Sequence, residues 1–343
     1  MTPALLSGAA MPLAGDEPLL SVRDLHVEFQ TGQRIVHVVN GASIDVKAGE
    51  TTAILGESGS GKSVTFDAVL GILDTPPGRV TRGAAYFHGQ DLFALAPAER
   101  RAICGRRIGM IFQDPLSSLN PVYTVGWQIA EMLRVHLGAS RRDAHQRAIA
   151  LLEQVGIPGA GDRVNDYPHQ FSGGMRQRVV IAMALAGNPE VVIADEPTTA
   201  LDVTIEAQIL KLLRSLQTDH GVGLVLITHS MGVVAEIADS VSVMYAGRVM
   251  ESGSVREILK RPAHPYTRGL LRSIPRKGGG ANRLVPIAGQ PPQLTEIPTG
   301  CPYRPRCDFA RDICAAITPG LLRFEGGRRA SACHFPDEVM EAK

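Results

Sequence analysis

A β-rich apolar run, Thr51–Leu55, meets an octapeptide rich in glycine and serine, and an amphipathic segment follows: TTAILGESGSGKSVTFDAVLGILD over residues 51–74. Few chains satisfy that order by accident. The octapeptide, Gly56-Glu57-Ser58-Gly59-Ser60-Gly61-Lys62-Ser63, is the phosphate-binding pattern G-x-x-x-x-G-K-[ST] with the strand before it and the helix after it that the pattern requires. Its glycines let the backbone curl so that successive N–H groups face one concavity and bind phosphate oxygens. The following helix adds its N-terminal partial positive charge to the same place. Lys62 is expected to reach the β- and γ-phosphates, and the Ser63 hydroxyl to ligate Mg²⁺. A plain Gly/Ser turn is the alternative, and four fixed positions with the right flanks weigh against it. The stretch is expected to bind a nucleoside triphosphate.

With 343 residues the chain has room for one large domain or two to three smaller ones. Its 44% hydrophobic and 20% charged residues supply an ordinary globular core. A net charge of +1 gives no bulk field for nucleic acid or an anionic membrane. No apolar stretch approaches the roughly 18–20 residues that span a bilayer; the longest, Val179–Ala186 and Val222–Ile227, suit a buried helix and a buried strand. Residues 1–18 lack a basic region and are broken by Gly and Pro, so they read as a disordered lead-in rather than a secretory signal, with Met11 a possible alternative start. The chain is expected to be soluble and cytoplasmic.

Residues 19–29 alternate apolar and polar and read as a strand, and IVHVVNGASIDV (35–46) reads as a second. Phe29 either closes a sheet edge or offers its ring to an adenine. Short strands are expected around Gly83 and Gly89, and RRIGMIFQDP (106–115) reads as a buried strand ending at Gln113. Residues 116–186 are helix-rich, with amphipathic spacing in Val125–Leu137 and Arg142–Val155. Strands and helices then alternate from Pro189 onward. The whole is an α/β core interrupted by a helical subdomain at about 116–186. There is no second phosphate loop, so the chain holds one nucleotide domain.

Val191-Val192-Ile193-Ala194-Asp195-Glu196 is an apolar strand that ends in two carboxylates, which places them at the carboxyl edge of the sheet with the phosphate loop. Asp195 is expected to hold Mg²⁺, directly or through water, and Glu196 to orient and deprotonate the attacking water. GLVLITHS repeats the pattern, ending in His229, which can hydrogen-bond a γ-phosphate. Gln113 can reach Mg²⁺ or the lytic water, or be an ordinary loop amide.

The phosphate loop, Gln113, Ser172-Gly173-Gly174, Asp195-Glu196, Ala200-Leu201-Asp202 and His229 stand in the order found in ABC-transporter ATPase subunits. Over about residues 19–256 the chain resembles that family. The resemblance implies a RecA-like P-loop NTPase core, an antiparallel β subdomain and the inserted helical subdomain. The family signature LSGGQ reads Phe171-Ser172-Gly173-Gly174-Met175 here, departing at both ends but keeping the hydroxyl and the two glycine amides. By resemblance Ser172, Gly173, Gly174 and Asp202 contact the ATP of a partner subunit. FQDPLSSLNPVYTVGWQI, DEPTTALDVTIEAQIL, HPYT (264–267) and the tail resemble the dipeptide/oligopeptide importer ATPases, except that Ser230 stands where those relatives carry Asp.

Residues 257–343 then form a small regulatory extension carrying cysteines. Cys301, Cys307, Cys314 and Cys333 are spaced C-x5-C-x6-C-x18-C in a loop-rich, arginine-rich segment. An ATP-using chain in reducing cytosol is a poor place for disulfides. Four thiolates can hold Zn²⁺ or an iron–sulfur cluster, though no C-x2-C pair is present. Metal-free packing or redox thiols are the remaining readings, and the resemblance favours a [4Fe-4S] cluster on these four. Cys104 reads as a small apolar side chain. Arg276–Asn282 reads as a linker and PIAGQPPQL after it as an extended segment, either a strand or a docking arm. The basic tail has no aromatic platform for RNA.

The expected activity is ATP hydrolysis energising import of di- or oligopeptides. The implied partners are a homologous second ATPase subunit, two transmembrane permease subunits and an extracytoplasmic peptide-binding protein, with no nucleic acid. Residues 114–127 would grip the permease at the cytoplasmic face of the membrane. Nickel or another small solute is the rival cargo, and a soluble ABC ATPase the more distant rival.

Overall fold

Three short runs without a polar face form the centre of the protein: β3 (Thr51–Leu55), β7 (Val191–Asp195) and β8 (Gly223–Thr228) are buried at every position. Strands covered on both faces belong to a parallel sheet. The computed structural model describes residues 17–199, 201–273, 286–327 and 329–342. The lead-in, apart from its last two residues, and the linker Arg276–Asn282 lie outside them.

The remaining strands are β1 (Leu20–Thr31), β2 (Arg34–Val46), β4 (Gly78–Phe87), β5 (Gln90–Asp91), β6 (Ile108–Ile111), β9 (Ser240–Tyr245), β10 (Arg248–Ser254), β11 (Leu322–Phe324) and β12 (Arg329–Ser331). They form two sheets. One is antiparallel in the order β2-β1-β4-β5; the other has eight strands in the order β11-β12-β10-β9-β3-β8-β7-β6. Within the second, β9, β3, β8, β7 and β6 run parallel. Leu55 stands opposite Thr228 and Asp195 opposite Ile227, so the carboxyl ends of the three central strands align.

Alternation along these strands decides what each face touches. Val191, Ile193, Val225 and Ile227 pack with the antiparallel sheet. Val192, Ala194, Leu224 and Leu226 pack with the helical block. That block includes the helices Val125–Leu137, Arg141–Gln154 and Gly173–Leu185, of which Ile129, Leu133, Ala144, Ala148, Leu152 and Val179 are core residues. Thr124 and Ser140 cap the first two helices through their hydroxyls, accepting from Trp127 N–H at 3.2 Å and Asp143 N–H at 3.2 Å. Two details differ from the sequence expectation. Strand β4 runs unbroken through Gly83, with a register shift opposite, between Arg23 and His26. Strand β6 stops at Ile111, two residues before Gln113.

Ala53, Leu55, Val241, Val243 and Tyr245 face a third core that belongs largely to the C-terminal residues. Tyr266, on the helix Pro265–Arg272, and Tyr303 pack around Tyr245, with ring centroids 4.7–5.3 Å apart. Strand β12 pairs antiparallel with β10, Glu251 opposite Ser331, so the central sheet itself continues into the last 15 residues. A buried ion pair fastens the join: Arg329 donates to Glu251 at 2.8 Å, with the side chains 1% and 0% exposed. Glu251 also accepts the Ala263 and His264 amides at 2.7 and 3.0 Å. Burial pushes its carboxyl up, and hydrogen bonds from Arg329, Thr267 and the Ala263 amide pull it back.

His264 lies beneath this join, fully enclosed, its Nδ1 accepting the Tyr266 amide at 3.0 Å. Burial drives its pKa down to about 3, so the folded protein holds it neutral. The unfolded chain takes up a proton near the ordinary histidine value of about 6.5. Stability is therefore complete above that value and falls as the pH drops toward 3, by at most about 1.4 kcal/mol per pH unit. Thermal melts from pH 7.5 to 5.5 should fall for the native chain and be flatter for His264→Gln. Parallel curves would remove His264 as the cause.

Candidate functional site

The phosphate loop begins where β3 ends and passes into the helix Lys62–Leu70. Gly61 caps that helix at φ +93°, and a Cβ there would lie 2.6 Å from the Val38 carbonyl, so only glycine lets β2 back the loop this closely. The curl is held from three sides. Ser60 N–H reaches Glu57 O at 3.2 Å, Gly247 N–H reaches Ser60 O at 3.0 Å, and Glu57 N–H donates to the Tyr266 hydroxyl at 3.0 Å. Lys62 folds back over the loop, Nζ donating to the carbonyls of Gly56 and Glu57 at 2.9 and 3.0 Å. Burial lowers its pKa, against the pull of Glu196, Asp195 and Glu57.

Asp195 ends β7 beside this loop and is buried. Burial pushes its carboxyl up, a hydrogen bond from Ser63 draws it down, and Glu196 raises it again. Its Oδ1 is buried and has no hydrogen-bond partner. Glu196 follows at φ +44°, a left-handed turn anchored by its N–H to Ile227 O at 2.9 Å. Gln113 Nε2 (3.1 Å) and the Thr199 hydroxyl (2.9 Å) donate to Oε2, and His229 Nδ1 lies 3.1 Å from Oε1. Burial alone would raise the Glu196 pKa; the bonds from His229 and Thr199 overcome it and hold the group below the usual carboxylate range. With Nδ1 engaged, the imidazole keeps Nε2 for a second partner; its side chain is 61% exposed. Ser230 caps the next helix through its hydroxyl, accepting from Val233 N–H at 3.4 Å, so it serves the local turn and not the histidine.

Of these groups Gly56–Ser63, Gln113, Glu196 and His229 line one open cleft of about 930 Å³; Asp195, buried at the end of β7, is not among its lining residues. Its other wall comes from the C-terminal residues: Leu270, Ser273, Pro286, Ile287, Gly289, Gln290, Pro291, Leu294 and Arg306. The docking arm expected after the linker is therefore a wall of the same cleft, with no strand or helix between Pro286 and Leu294. Thr199, Tyr266 and Arg306 belong to the site without a local sign in the sequence.

Phe29 is not among the lining residues. It lies on β1, paired with Val36 and Gly78, and packs against the core of the antiparallel sheet. Ser172 caps the helix Gly173–Leu185, its hydroxyl accepting from Met175 N–H at 3.4 Å; Ser172 and Gly173 are exposed. Gly174 is pressed against the helix Val203–His220, where a Cβ would meet Ile205 Cγ2 at 2.6 Å. Asp202 caps that second helix, accepting from Ile205 N–H at 3.0 Å. Neither Ser172–Gly174 nor Asp202 lines the cleft of the phosphate loop.

The cysteine expectation requires correction. Cys301, Cys307, Cys314 and Cys333 do line one pocket, with Tyr303, Phe309 and Phe335. It measures about 10 Å³, no more than the space of one water. Among the described residues no three His, Cys, Asp or Glu side chains are arranged to hold a metal ion, which overturns both the [4Fe-4S] cluster and the zinc alternative. Burial pushes Cys307 up to about 12 and Cys333 up to about 11, and raises Cys301 as well. The sulfurs of Cys307 and Cys333 accept the amides of Phe309 (3.3 Å) and Phe335 (3.4 Å). All five cysteines are free; Cys301, Cys307 and Cys314 act as small apolar groups of the third core, and Cys333 lines the small pocket beside them.

A strand, a glycine-rich loop and a helix at the carboxyl edge of a parallel sheet, with a second strand ending in acids beside them, is the architecture of a P-loop nucleotide-hydrolysing domain. Comparison with known proteins narrows the class. Residues 39–199 match the ABC transporter family, and residues 250–314 match the C-terminal region of oligopeptide/dipeptide transporters. The dipeptide transport ATP-binding protein DppD of Escherichia coli (strain K12) is 49% identical over 318 residues, covering 93% of this chain and 97% of that protein. The oligopeptide transport ATP-binding protein OppD of Bacillus subtilis (strain 168) is 52% identical over 306 residues, 89% of this chain and 86% of that one. Among solved structures, the ATP-binding cassette MJ0796, a dimer in a post-hydrolysis state with ADP and phosphate, superposes with a TM-score of 0.62 at 29% identity. That match covers 69% of this chain and 99% of that one. The chain belongs to the ATP-binding subunits of ABC transporters, and it is an ATPase.

Proposed function

We propose that this chain hydrolyses ATP to drive the import of dipeptides or oligopeptides through a membrane permease. The observation that carries the cargo class is the C-terminal match over residues 250–314, on a chain half identical, over nearly its whole length, to dipeptide and oligopeptide transport subunits. Residues 19–256 act as the nucleotide-binding unit and 257–343 as its extension.

In this reading the amides of Gly56–Ser63 and the Lys62 ammonium bind the triphosphate. The Ser63 hydroxyl, Gln113 and the unsatisfied, buried Oδ1 of Asp195 suit a divalent cation, which needs few protein ligands when phosphates supply the rest. Mg²⁺ held there would offset the charge on the phosphate oxygens. The Glu196 carboxylate has about four acceptor positions. Gln113, Thr199 and His229 occupy three, leaving one for a water molecule. That water gives its proton to Glu196 as its oxygen attacks the γ-phosphorus, and the bond to the ADP oxygen breaks. His229, through Nε2, steadies the γ-phosphate.

Ser172, Gly173 and Gly174 present a helix N-terminus away from the chain's own cleft, which suits phosphate held by a homologous second subunit, with Asp202 beside them. Phe112, Leu116, Val122, Tyr123 and Trp127 are exposed, and the last two rings stack 4.0 Å apart. This apolar patch suits the cytoplasmic helices of two permease subunits. Among the described residues no helix is long and apolar enough to cross a membrane, so attachment to the cytoplasmic face would run through that patch. An extracytoplasmic peptide-binding protein completes the system.

The test is ATPase activity of the complex that copurifies with this chain from membranes, with and without a peptide-loaded binding protein. Stimulation by peptide is expected. An active membrane complex indifferent to peptide would assign another solute, and an active chain with no membrane partner would overturn the transport reading.

A further inference from the structure

Glu57 is an acidic residue in the second position of a loop built to hold a polyanion. Its charge is felt by Lys62, the main cation of that loop. Left uncompensated, it would oppose every phosphate that enters. The compensation comes from the far end of the chain. Arg306, its side chain 4% exposed, forks onto the carboxylate with 2.7 Å to Oε2 and 3.0 Å to Oε1, across 249 positions of sequence. The paired geometry is the strong form of this contact. The guanidinium is itself fixed. Its Nε donates to the Ala288 carbonyl at 2.9 Å, one nitrogen reaches the Tyr245 hydroxyl at 3.3 Å, and the group lies 5.7 Å from the Tyr245 ring centre. The Glu57 amide is drawn to the same side, since it donates to the Tyr266 hydroxyl.

We propose that Arg306 is a positioning residue of the nucleotide site: from the C-terminal extension it neutralises Glu57 and holds the first turn of the phosphate loop, so that ATP affinity depends on the extension. The inference rests on ATP binding at Gly56–Ser63 and assigns Arg306 its role through Glu57.

Equilibrium dialysis of the full-length chain with Mg-ATP tests it. Arg306→Gln should weaken ATP binding about tenfold, the effect of exposing one unit charge beside the phosphates. Arg306→Lys, which keeps the charge and loses the fork, should fall between. Adding Glu57→Gln to Arg306→Gln should restore affinity to within about threefold of the native chain, because the repelling charge is then gone. A purely architectural arginine gives no such rescue. Unchanged affinity in Arg306→Gln would overturn the proposal, and so would a double variant as weak as the single one. Failure of the native chain to bind ATP would instead remove the nucleotide reading of the loop, and this inference with it.

Discussion

Glu196→Gln should leave Mg-ATP binding intact and lower hydrolysis at the site it serves by a factor of about 10²–10⁴, the contribution of a positioned general base. The amide is nearly isosteric, and its oxygen can still accept from His229 or Thr199, so the cleft keeps its shape. It cannot take the proton of the attacking water. The hydrogen bonds that lower the Glu196 pKa keep the native group ionised and therefore basic at neutral pH. The measurement is steady-state turnover alongside ATP affinity in the membrane complex. Normal turnover by the variant would remove Glu196 from this role. A small residual rate is compatible with an active partner site.

Glu251→Ala should cost about 3–5 kcal/mol of folding stability, the usual penalty for stripping one member from a buried ion pair. Arg329 would be left charged at 1% exposure, and the Ala263 and His264 amides would lose their acceptor. Replacing both members with apolar residues often recovers such a loss. Here the recovery should be incomplete, because Glu251→Leu with Arg329→Met still leaves those two amides unsatisfied. Denaturant titration of the three chains separates the terms. A full return to native stability in the double variant would show that the amides find other partners.

The centre of the fold and most of the cleft could be read from local pattern because each feature there is short-range. The run Thr51–Leu55 and the octapeptide after it carry strand, curl and charge within 13 residues. Strands β7 and β8 are buried at every position, and the residues just after them, Glu196 and His229, meet one another. Gly83 misled, because a glycine inside a strand marks a register shift as readily as a break. Arg306 could be seen only as one arginine among several in a basic tail; its partner Glu57 lies in another part of the chain, and nothing local encodes the pairing. The cysteines misled for a related reason. Spacing records which sulfurs could meet, whereas ligation depends on room, and here aromatic packing leaves about the space of one water.

Strand β12 gives the central sheet a consequence for biosynthesis. A nascent chain that has delivered residues up to Ser254 already holds every parallel strand, together with β10. The outer row of amides and carbonyls on β10 then has no neighbour, and Glu251 has no guanidinium to meet it. Both wait until Arg329–Ser331 leave the ribosome, roughly 75 residues later (254 to 329). An unpaired sheet edge invites pairing with other chains. Ribosomes that stall between those points would release products whose parallel core can form but whose β10 edge is open, and these should be the species that chaperones retain or proteases clear.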